Sequence, residues 1–217
     1  MDSHSNDLQQ SLFALENEKK EQIVLDSSSE SGEIIFYPNY FSRDEADAYY
    51  ERCNSEQVPW NRETISMYGN TYPVPRDTAW FSRDGLAYTY SGIKMDPDPY
   101  PNFIEAIQKK IDNDDKYGFN SVLLNRYNDG SDKVSWHADD EKELSSNINI
   151  ASVCFGATRP FQLRRKGQTK KELEVPMEHG SLLIMKDPLQ HYWEHQIPKT
   201  SKDIGPRINL TFRKIVL

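Results

Sequence analysis

The sequence lacks several features that would place it in a membrane or secreted class. The chain of 217 residues has no apolar run that approaches the roughly 18 consecutive residues needed for a transmembrane helix. The N-terminal stretch MDSHSNDLQQ has no basic region followed by an apolar one, so we expect neither a secretory signal nor a membrane partner. Only Cys53 and Cys154 occur, without C-x-x-C spacing, which argues against a disulfide framework and a zinc knuckle. We therefore expect an intracellular protein, cytoplasmic or nuclear, with two buried thiols.

Basic residues are fewer than acidic ones, and the resulting net charge of -8 at first argues against a nucleic-acid partner. The deficit is concentrated in residues 1–33, which hold eight acidic residues against two lysines. The other 184 residues are nearly balanced, with 26 acidic and 24 basic side chains. Among them, the stretch 159–171 has six basic residues and no acidic one. This stretch indicates either a phosphate-facing patch or a solvated loop.

The hydrophobic content of 36% is low, but 12% of the residues are aromatic, which is enough to build a core. The length favours one domain, and we expect a monomer. Residues 1–33 are predicted to be an acidic flexible arm because they are polar and serine-rich. The folded domain is predicted over 34–217, with helices and a recognition segment in 34–115 and a β core in 118–217.

Local patterns predict an α+β fold. A short strand begins at Glu33, and Ser42 with Glu45 forms a capping box that opens a helix ending near Asn54. A second helix is predicted from Pro101 to Ile111 by the spacing of its apolar residues. From residue 118 onward, five short apolar or alternating runs are separated by polar, glycine and proline turns, namely 120–127, 148–155, 161–165, 181–185 and 208–216. Such a pattern is typical of a sandwich or jelly roll.

His137 and Asp139 lie two residues apart, so on a strand they point to the same side and can share a metal. An isolated H-x-D triplet is also explained by a surface ion pair. A third ligand would come from His191, His195, His179 or His4. Two histidines and one carboxylate leave positions open for dioxygen and a chelating cosubstrate on Fe(II), whereas zinc more often takes three histidines or cysteine.

The segment 206–213 alternates strictly. Arg207, Asn209, Thr211 and Arg213 share one face of the predicted strand, and the three residues between them are apolar. If the strand is central in a closed β fold, two guanidinium groups enter its cavity, and a dianion there would compensate their burial. An edge strand with a solvated polar face is the alternative. Asn125 and Tyr127, again two residues apart, can complete the anion site.

Six motifs together resemble the AlkB-type Fe(II)/2-oxoglutarate dioxygenases, and they occur in consistent order over about 34–217. They are N-R-Y-x-x-G at 125–130, W-H-A-D-D-E at 136–141, A-S-V-C-F-G-A at 151–157, H-G-S-L-L-I-M at 179–185, W-x-H at 193–195 and P-R-x-N-L-T-F-R at 206–213. The resemblance implies a double-stranded β-helix (jelly-roll) core with supporting N-terminal helices. It also implies an enzyme that uses Fe(II), 2-oxoglutarate and O2 to hydroxylate an N-methyl group, which then leaves as formaldehyde.

The resemblance assigns roles by motif. It selects His195, in the W-x-H position, as the third iron ligand beside His137 and Asp139, and it makes His191 a loop residue and His179 part of a structural turn. The expected 2-oxoglutarate ligands are Asn125, Tyr127, Arg207, Asn209 and Arg213.

The family's substrates are chiefly 1-methyladenine and 3-methylcytosine, cationic bases that need aromatic faces and carboxylates around them. The matching segments make Tyr90 a residue that stacks on the base, Tyr88 a neighbour of the base or its phosphate, and Glu141 an acceptor for the exocyclic amine. Val-Pro-Arg at 74–76 makes Arg76 a contact near the flipped nucleotide. Met-Tyr-Gly at 67–69 resembles the wedge of duplex-repairing members, with Tyr68 as the inserted aromatic.

Alkylated DNA, single-stranded or duplex, is therefore the expected partner. The alternatives are RNA demethylation by the same chemistry, a metal-independent nucleic-acid reader built on a jelly roll, and a protein-hydroxylating oxygenase. A reader has no use for the three metal ligands and the inward arginines, and a protein hydroxylase has none for the tyrosines at 88–90.

Overall fold

The structure is a computed structural model that describes residues 21–24, 32–67, 70–83, 88–90, 93–95, 98–112, 117–141, 143–144 and 147–216. In chain order the first strands and helices are β1 Glu21–Val24, β2 Glu33–Tyr37, α1 Arg43–Cys53, β3 Thr64–Met67, β4 Asn70–Pro73, β5 Asp77–Ser82, β6 Tyr88–Tyr90, β7 Ile93–Met95 and α2 Asn102–Ile111. The remaining elements are β8 Ser121–Tyr127, β9 Val134–His137, β10 Ile150–Gly156, β11 Arg159–Arg165, β12 Leu173–Met177, β13 Ser181–Lys186, α3 Leu189–Tyr192, β14 Trp193–Ile197 and β15 Arg207–Arg213.

Two antiparallel sheets form the body of the fold. The larger sheet has seven strands in the order β1-β2-β13-β10-β15-β8-β5, and the smaller has four in the order β12-β11-β14-β9. Non-consecutive strands are neighbours in both sheets, as in a jelly roll, so the predicted fold class is confirmed. No helix in the described part of the chain is both long and apolar enough to span a bilayer.

Alternating side chains of the larger sheet supply two separate cores. One face packs on the smaller sheet. The core between the two sheets includes Leu123 of the larger sheet and Phe161 and Trp193 of the smaller one. The opposite face packs on the two long helices, where Phe103, Ile107 and their neighbours meet the strands. Strand alternation therefore divides each central strand between a helix-facing core and an inter-sheet space.

Both long helices start and end close to the predicted positions. In α1 the amide of Glu45 donates to Ser42 Oγ and the amide of Ser42 donates to Glu45 Oε2, which is the predicted capping box. In α2 the predicted apolar face, Phe103, Ile107 and Ile111, is buried. The two cysteines are free and buried, as predicted.

The predicted segment boundaries need correction at two places. Residues 21–24, assigned to the flexible arm, form strand β1 and pair with β2 from Glu33 to Phe36. Strand β5, in the part predicted to hold helices and the recognition segment, pairs along its whole length with β8 of the core. The N-terminal half therefore contributes three strands to the larger sheet, because unpaired edges of the jelly roll accept strands from distant sequence. Local patterns also missed β9, β12 and β14.

Candidate active site

Three side chains predicted as metal ligands meet at one end of the smaller sheet. His137 is the last residue of β9, Asp139 follows two residues later, and His195 lies on β14 directly opposite His137. One potential ligand atom from each side chain lies within 4.8 Å of the other two. The pairing of β9 with β14 thus joins ligands that are 58 positions apart in the sequence.

Both imidazoles are in the form that binds a metal. His137 Nδ1 lies 2.9 Å from the carbonyl oxygen of Ser135, so it donates there and leaves the lone pair on Nε2. The His195 ring stacks on Phe161, with 5.0 Å between ring centroids. Burial lowers the pKa of His137, and burial followed by the neighbouring His137 lowers the pKa of His195 to about 3. Neutral imidazole nitrogens are therefore available at physiological pH.

Asp139 is held as a carboxylate in a buried place. Burial would raise its pKa, but the charge of Arg213 and the neighbouring imidazoles outweigh that effect and bring the pKa to about 2. Arg213 Nη2 donates to Asp139 Oδ2 at 2.8 Å, and Asp139 Oδ1 has no hydrogen-bond partner among the described residues. One carboxylate oxygen is thus anchored while the other faces the imidazoles, 3.8 Å from His137 Nε2.

A buried glutamine positions the same carboxylate through the backbone. Gln190, on the short helix α3, accepts the amide hydrogen of Asp139 with its Oε1 at 2.9 Å, and its Nε2 lies 3.3 Å from Met185 Sδ. Its side chain is 1% exposed. Sequence reasoning missed this residue, because a glutamine 51 positions away carries no local signal of the contact.

The donor set fits Fe(II). Two neutral imidazoles and one ionised carboxylate lie within reach of one ion, and three protein ligands would leave the other octahedral positions of Fe(II) for exogenous ligands. Asp139 Oδ1 and His195 Nδ1 are both buried and have no hydrogen-bond partner among the described residues. Unsatisfied buried polar atoms are costly, and a bound cation would compensate the carboxylate.

The alternation predicted for β15 is confirmed. Arg207, Asn209, Thr211 and Arg213 line a pocket between the sheets, whereas Ile208, Leu210 and Phe212 are buried in the helix-facing core. Along the polar face, Arg207 Nη2 donates to Asn209 Oδ1 at 2.8 Å and Asn209 Nδ2 donates to Thr211 Oγ1 at 2.9 Å. Strand β15 is central, between β10 and β8, so the edge-strand alternative is excluded.

The pocket unites the predicted metal and anion sites in a space of about 430 Å³, its open mouth included. All eight residues predicted for these two sites line it: Asn125, Tyr127, His137, Asp139, His195, Arg207, Asn209 and Arg213. Arg207 is 1% exposed, and its Nε and Nη1 have no hydrogen-bonding oxygen or nitrogen among the described residues. A buried positive charge with unsatisfied donors is unfavourable unless an anion binds to it. The pocket therefore suits a small dicarboxylate.

Ser152 of β10 also belongs to this pocket and was not predicted. Its Oγ donates to Asn209 Oδ1 at 2.9 Å, so that oxygen accepts from both Ser152 and Arg207. The amide orientation of Asn209 is thereby set. The alternation of the strand that contains Ser152 was the signal that could have identified it.

Comparison with known proteins gives the family. Residues 33–213 match the model of the 2OG-Fe(II) oxygenase superfamily. The DNA oxidative demethylase ALKBH2 of Homo sapiens is 37% identical over 190 residues, covering 83% of this chain and 73% of the relative. This chain belongs to the AlkB-type oxygenases of that superfamily.

One further relative and one solved structure are also similar to this chain. The alpha-ketoglutarate-dependent dioxygenase alkB homolog 3 of Mus musculus is 38% identical over 191 residues, or 84% of this chain and 66% of the relative, so the chain spans slightly less than two thirds of it. The solved structure of OsALKBH1 shares the fold, with a TM-score of 0.61 at 16% identity, over 83% of this chain and 97% of that one.

The structure describes only some of the side chains that were predicted to contact the base. Glu141 is half-buried two residues beyond Asp139. Tyr88 and Tyr90 lie on β6, which pairs with β7, and only the backbone of that strand belongs to the described part of the chain. Tyr68 lies outside the described residues.

Arg76, predicted to contact the flipped nucleotide, lies beside the pocket, and the predicted contact stays a prediction. It is 7% exposed, and its Nε donates to Asn125 Oδ1 at 2.7 Å. Asn125 is itself a pocket residue. Arg76 therefore orients the Asn125 amide at the edge of the pocket.

The other two described histidines lie outside the pocket. His191 is exposed on α3, 3.3 Å from Asp187 Oδ1. His179 accepts the amide hydrogen of Gly156 with Nδ1 at 2.8 Å, and its Nε2 lies 3.1 Å from Asp47 Oδ1, as suits a structural turn.

The basic stretch 159–171 is largely neutralised. Arg159 is buried, and four of the other five side chains form ion pairs: Arg164 with Glu194, Arg165 with Glu172, Lys166 with Asp140, and Lys171 with Glu174. Acidic residues distant in the sequence reach two of these four basic side chains, since Glu194 pairs with Arg164 and Asp140 pairs with Lys166. The stretch is therefore neither a continuous phosphate-facing patch nor a simple solvated loop.

Proposed function

We propose that this chain is a dioxygenase that oxidatively demethylates 1-methyladenine and 3-methylcytosine in alkylated DNA. The observation that carries the proposal is a single pocket that contains two histidines, a carboxylate and Arg207. The Arg207 guanidinium is buried, and two of its nitrogens have no hydrogen-bonding oxygen or nitrogen among the described residues. Support for a DNA substrate comes from relatives described as DNA oxidative demethylases. A monomeric, intracellular protein remains our prediction.

The chain's own residues would hold each component in place. His137, Asp139 and His195 would bind Fe(II), with Arg213 keeping Asp139 ionised and Gln190 fixing its backbone. The dicarboxylate would lie along the polar face of β15, held by Arg207, Arg213 and Asn209 together with Asn125 and Tyr127 of β8. When bound, Fe(II), 2-oxoglutarate and O2 supply the oxidation that converts an N-methyl group to a hydroxymethyl group, which leaves as formaldehyde.

Apolar side chains close the pocket around these groups. Leu123, Val134, Phe161 and Met185 line it together with the polar residues, so bulk water is kept from much of its wall. In such surroundings a guanidinium binds a carboxylate more strongly than it does in water. Tyr88, Tyr90 and Glu141 remain the residues that we propose to hold the base.

The test is formaldehyde release from methylated oligonucleotides in the presence of Fe(II), 2-oxoglutarate and O2. We expect release from single-stranded DNA that carries 1-methyladenine or 3-methylcytosine, and none from the unmethylated strand or from His195→Ala. Faster release from methylated RNA would transfer the proposal to an RNA demethylase. Nucleic-acid binding without 2-oxoglutarate turnover would contradict it in favour of a non-enzymatic reader.

A further inference from the structure

Arg159 is an unusual buried arginine next to the proposed cosubstrate pocket. It begins β11 and is 1% exposed. Its guanidinium donates to three backbone carbonyls, those of Asp129 at 3.2 Å, Asp132 at 3.0 Å and Pro198 at 2.5 Å. Arg159 forms no ion pair with a carboxylate in the described part of the chain. Within the described part of the chain its hydrogen bonds go to carbonyl groups, and the carboxylates of Asp132 and Asp129 act on its charge only electrostatically.

A second buried arginine, Arg207, lies beside the same aromatic ring as Arg159. The guanidinium carbons of Arg159 and Arg207 lie 5.8 Å and 5.1 Å from the centroid of the Tyr127 ring. Tyr127 and Arg207 line the pocket, whereas Arg159 is not among its described lining residues. Burial, and after it the charge of Arg207, lower the pKa of Arg159 and outweigh the opposite effect of Tyr127, Asp132 and Asp129. Two like charges thus share one poorly solvated corner.

Such a corner is costly in the absence of a negative charge. Burying a single charge in a low-dielectric site is unfavourable, and a like neighbour adds to that cost. The carbonyl oxygens around Arg159 reduce the cost without cancelling the charge. An anion beside Arg207 would be attracted by both guanidinium groups, one in direct contact and one through a region of low dielectric.

We infer that Arg159 is a positioning residue that makes this corner select a ligand with a second carboxylate. It acts through the Tyr127 ring, which lies beside both guanidinium groups, and through its own positive charge, which no carboxylate in the described part of the chain pairs with directly. A 2-oxo diacid would gain from both effects, whereas a 2-oxo acid of the same length without the distal carboxylate would gain from neither. The inference rests on the proposed binding of 2-oxoglutarate in this pocket.

The test compares two five-carbon ligands, 2-oxoglutarate and 2-oxopentanoate, which differ only in the distal carboxylate. Their dissociation constants are measured by calorimetry on protein loaded with Mn(II), so that no turnover is required. We expect Arg159→Met to weaken 2-oxoglutarate about tenfold or more and to change 2-oxopentanoate by less than about threefold. Arg159→Lys, which keeps the charge, should retain most of the preference for the diacid.

The matched control is Arg165→Met, on the same strand, whose guanidinium lies over Trp193 and near Glu172, away from the pocket. Its ligand preference should equal that of the wild type. If Arg159→Met does not fold, Arg159→Gln replaces it, since an amide can still donate to a carbonyl.

Three results separate the possibilities. Equal weakening of both ligands in a folded Arg159 variant, or an unchanged preference, would overturn the inference while leaving the proposed function intact. An Arg159→Lys protein as unselective as Arg159→Met would also overturn it, because charge would not be the cause. Failure of the wild type to bind 2-oxoglutarate at all would instead overturn the proposed function.

Discussion

At the scale of single residues, the two histidines near the end of the chain provide a direct test of the metal site. His195 faces His137 across two strands, whereas His191, four residues earlier, is exposed beside Asp187. We expect His195→Ala to lose Mn(II) binding, as should His137→Ala and Asp139→Ala, since each removes one of three ligands. His191→Ala should bind normally. Electron paramagnetic resonance titration of Mn(II) measures this, and the opposite pattern for the two histidines would refute the assignment.

Gln190 shows how a residue outside the ligand set can control it. In Gln190→Leu the amide of Asp139 loses its buried acceptor, and the carboxylate loses a constraint on its direction. Loss of such a supporting hydrogen bond weakens metal binding about 10- to 100-fold, so we expect at least a tenfold higher dissociation constant for Mn(II).

The control for Gln190 is Gln196→Leu, which removes a side-chain contact with Gln162 on the neighbouring strand. It should leave the Mn(II) dissociation constant unchanged. Gln190→Glu keeps an acceptor oxygen and should restore part of the affinity. Equal affinities for Gln190→Leu and the wild type would mean that Asp139 is positioned by Arg213 alone.

At the scale of elements, the β3–β4 hairpin is the candidate for duplex recognition. Its strands pair from Thr64 with Pro73 to Met67 with Asn70, and Tyr68 and Gly69 are the two residues between them in the sequence. An aromatic wedge would fill the gap that a flipped base leaves in the stack. We expect Tyr68→Ala to reduce demethylation of duplex DNA about tenfold while sparing single strands, given roughly 1–3 kcal/mol per base-aromatic stack.

A second tyrosine on the same hairpin provides the control. Tyr72 is 49% exposed on β4, away from the connection between the strands. Tyr72→Ala should change duplex and single-strand rates equally. Formaldehyde release from matched substrates measures both variants, and identical duplex rates for Tyr68→Ala and the wild type would rule out the wedge.

At the scale of the whole molecule, ligand binding should stabilise the fold, because the pocket lies between the two sheets and its residues come from both. A ligand at 100 times its dissociation constant adds about 2.7 kcal/mol, which for a protein of this size raises the Tm by about 5–10 °C. We expect this rise when Mn(II) and 2-oxoglutarate are added together, and its reversal by a chelator. Differential scanning fluorimetry measures it, and a similar rise in His195→Ala would show that the ligands act elsewhere.

The sequence by itself determined the local patterns. Strict alternation in 206–213 was sufficient to place two arginines and an asparagine on one face of β15, because side chains of a strand point to opposite sides whatever surrounds it. The capping box at Ser42 and the apolar face of α2 were likewise predictable, since both depend on residues three or four positions apart. The six motifs added the family and hence the jelly roll.

Only the tertiary structure decided which side chains meet across the sheets. The pairing of Arg213 with Asp139, the support of Asp139 by Gln190 and the burial of Arg159 all join residues that are 27 or more positions apart. Two of the four acidic partners of the basic stretch, Glu194 and Asp140, come from a neighbouring strand or loop in the same way. Strand β1 also pairs only because β2 offers an open edge. Local periodicity carries no information about such partners, because strand order and register, and not sequence distance, set which atoms approach each other.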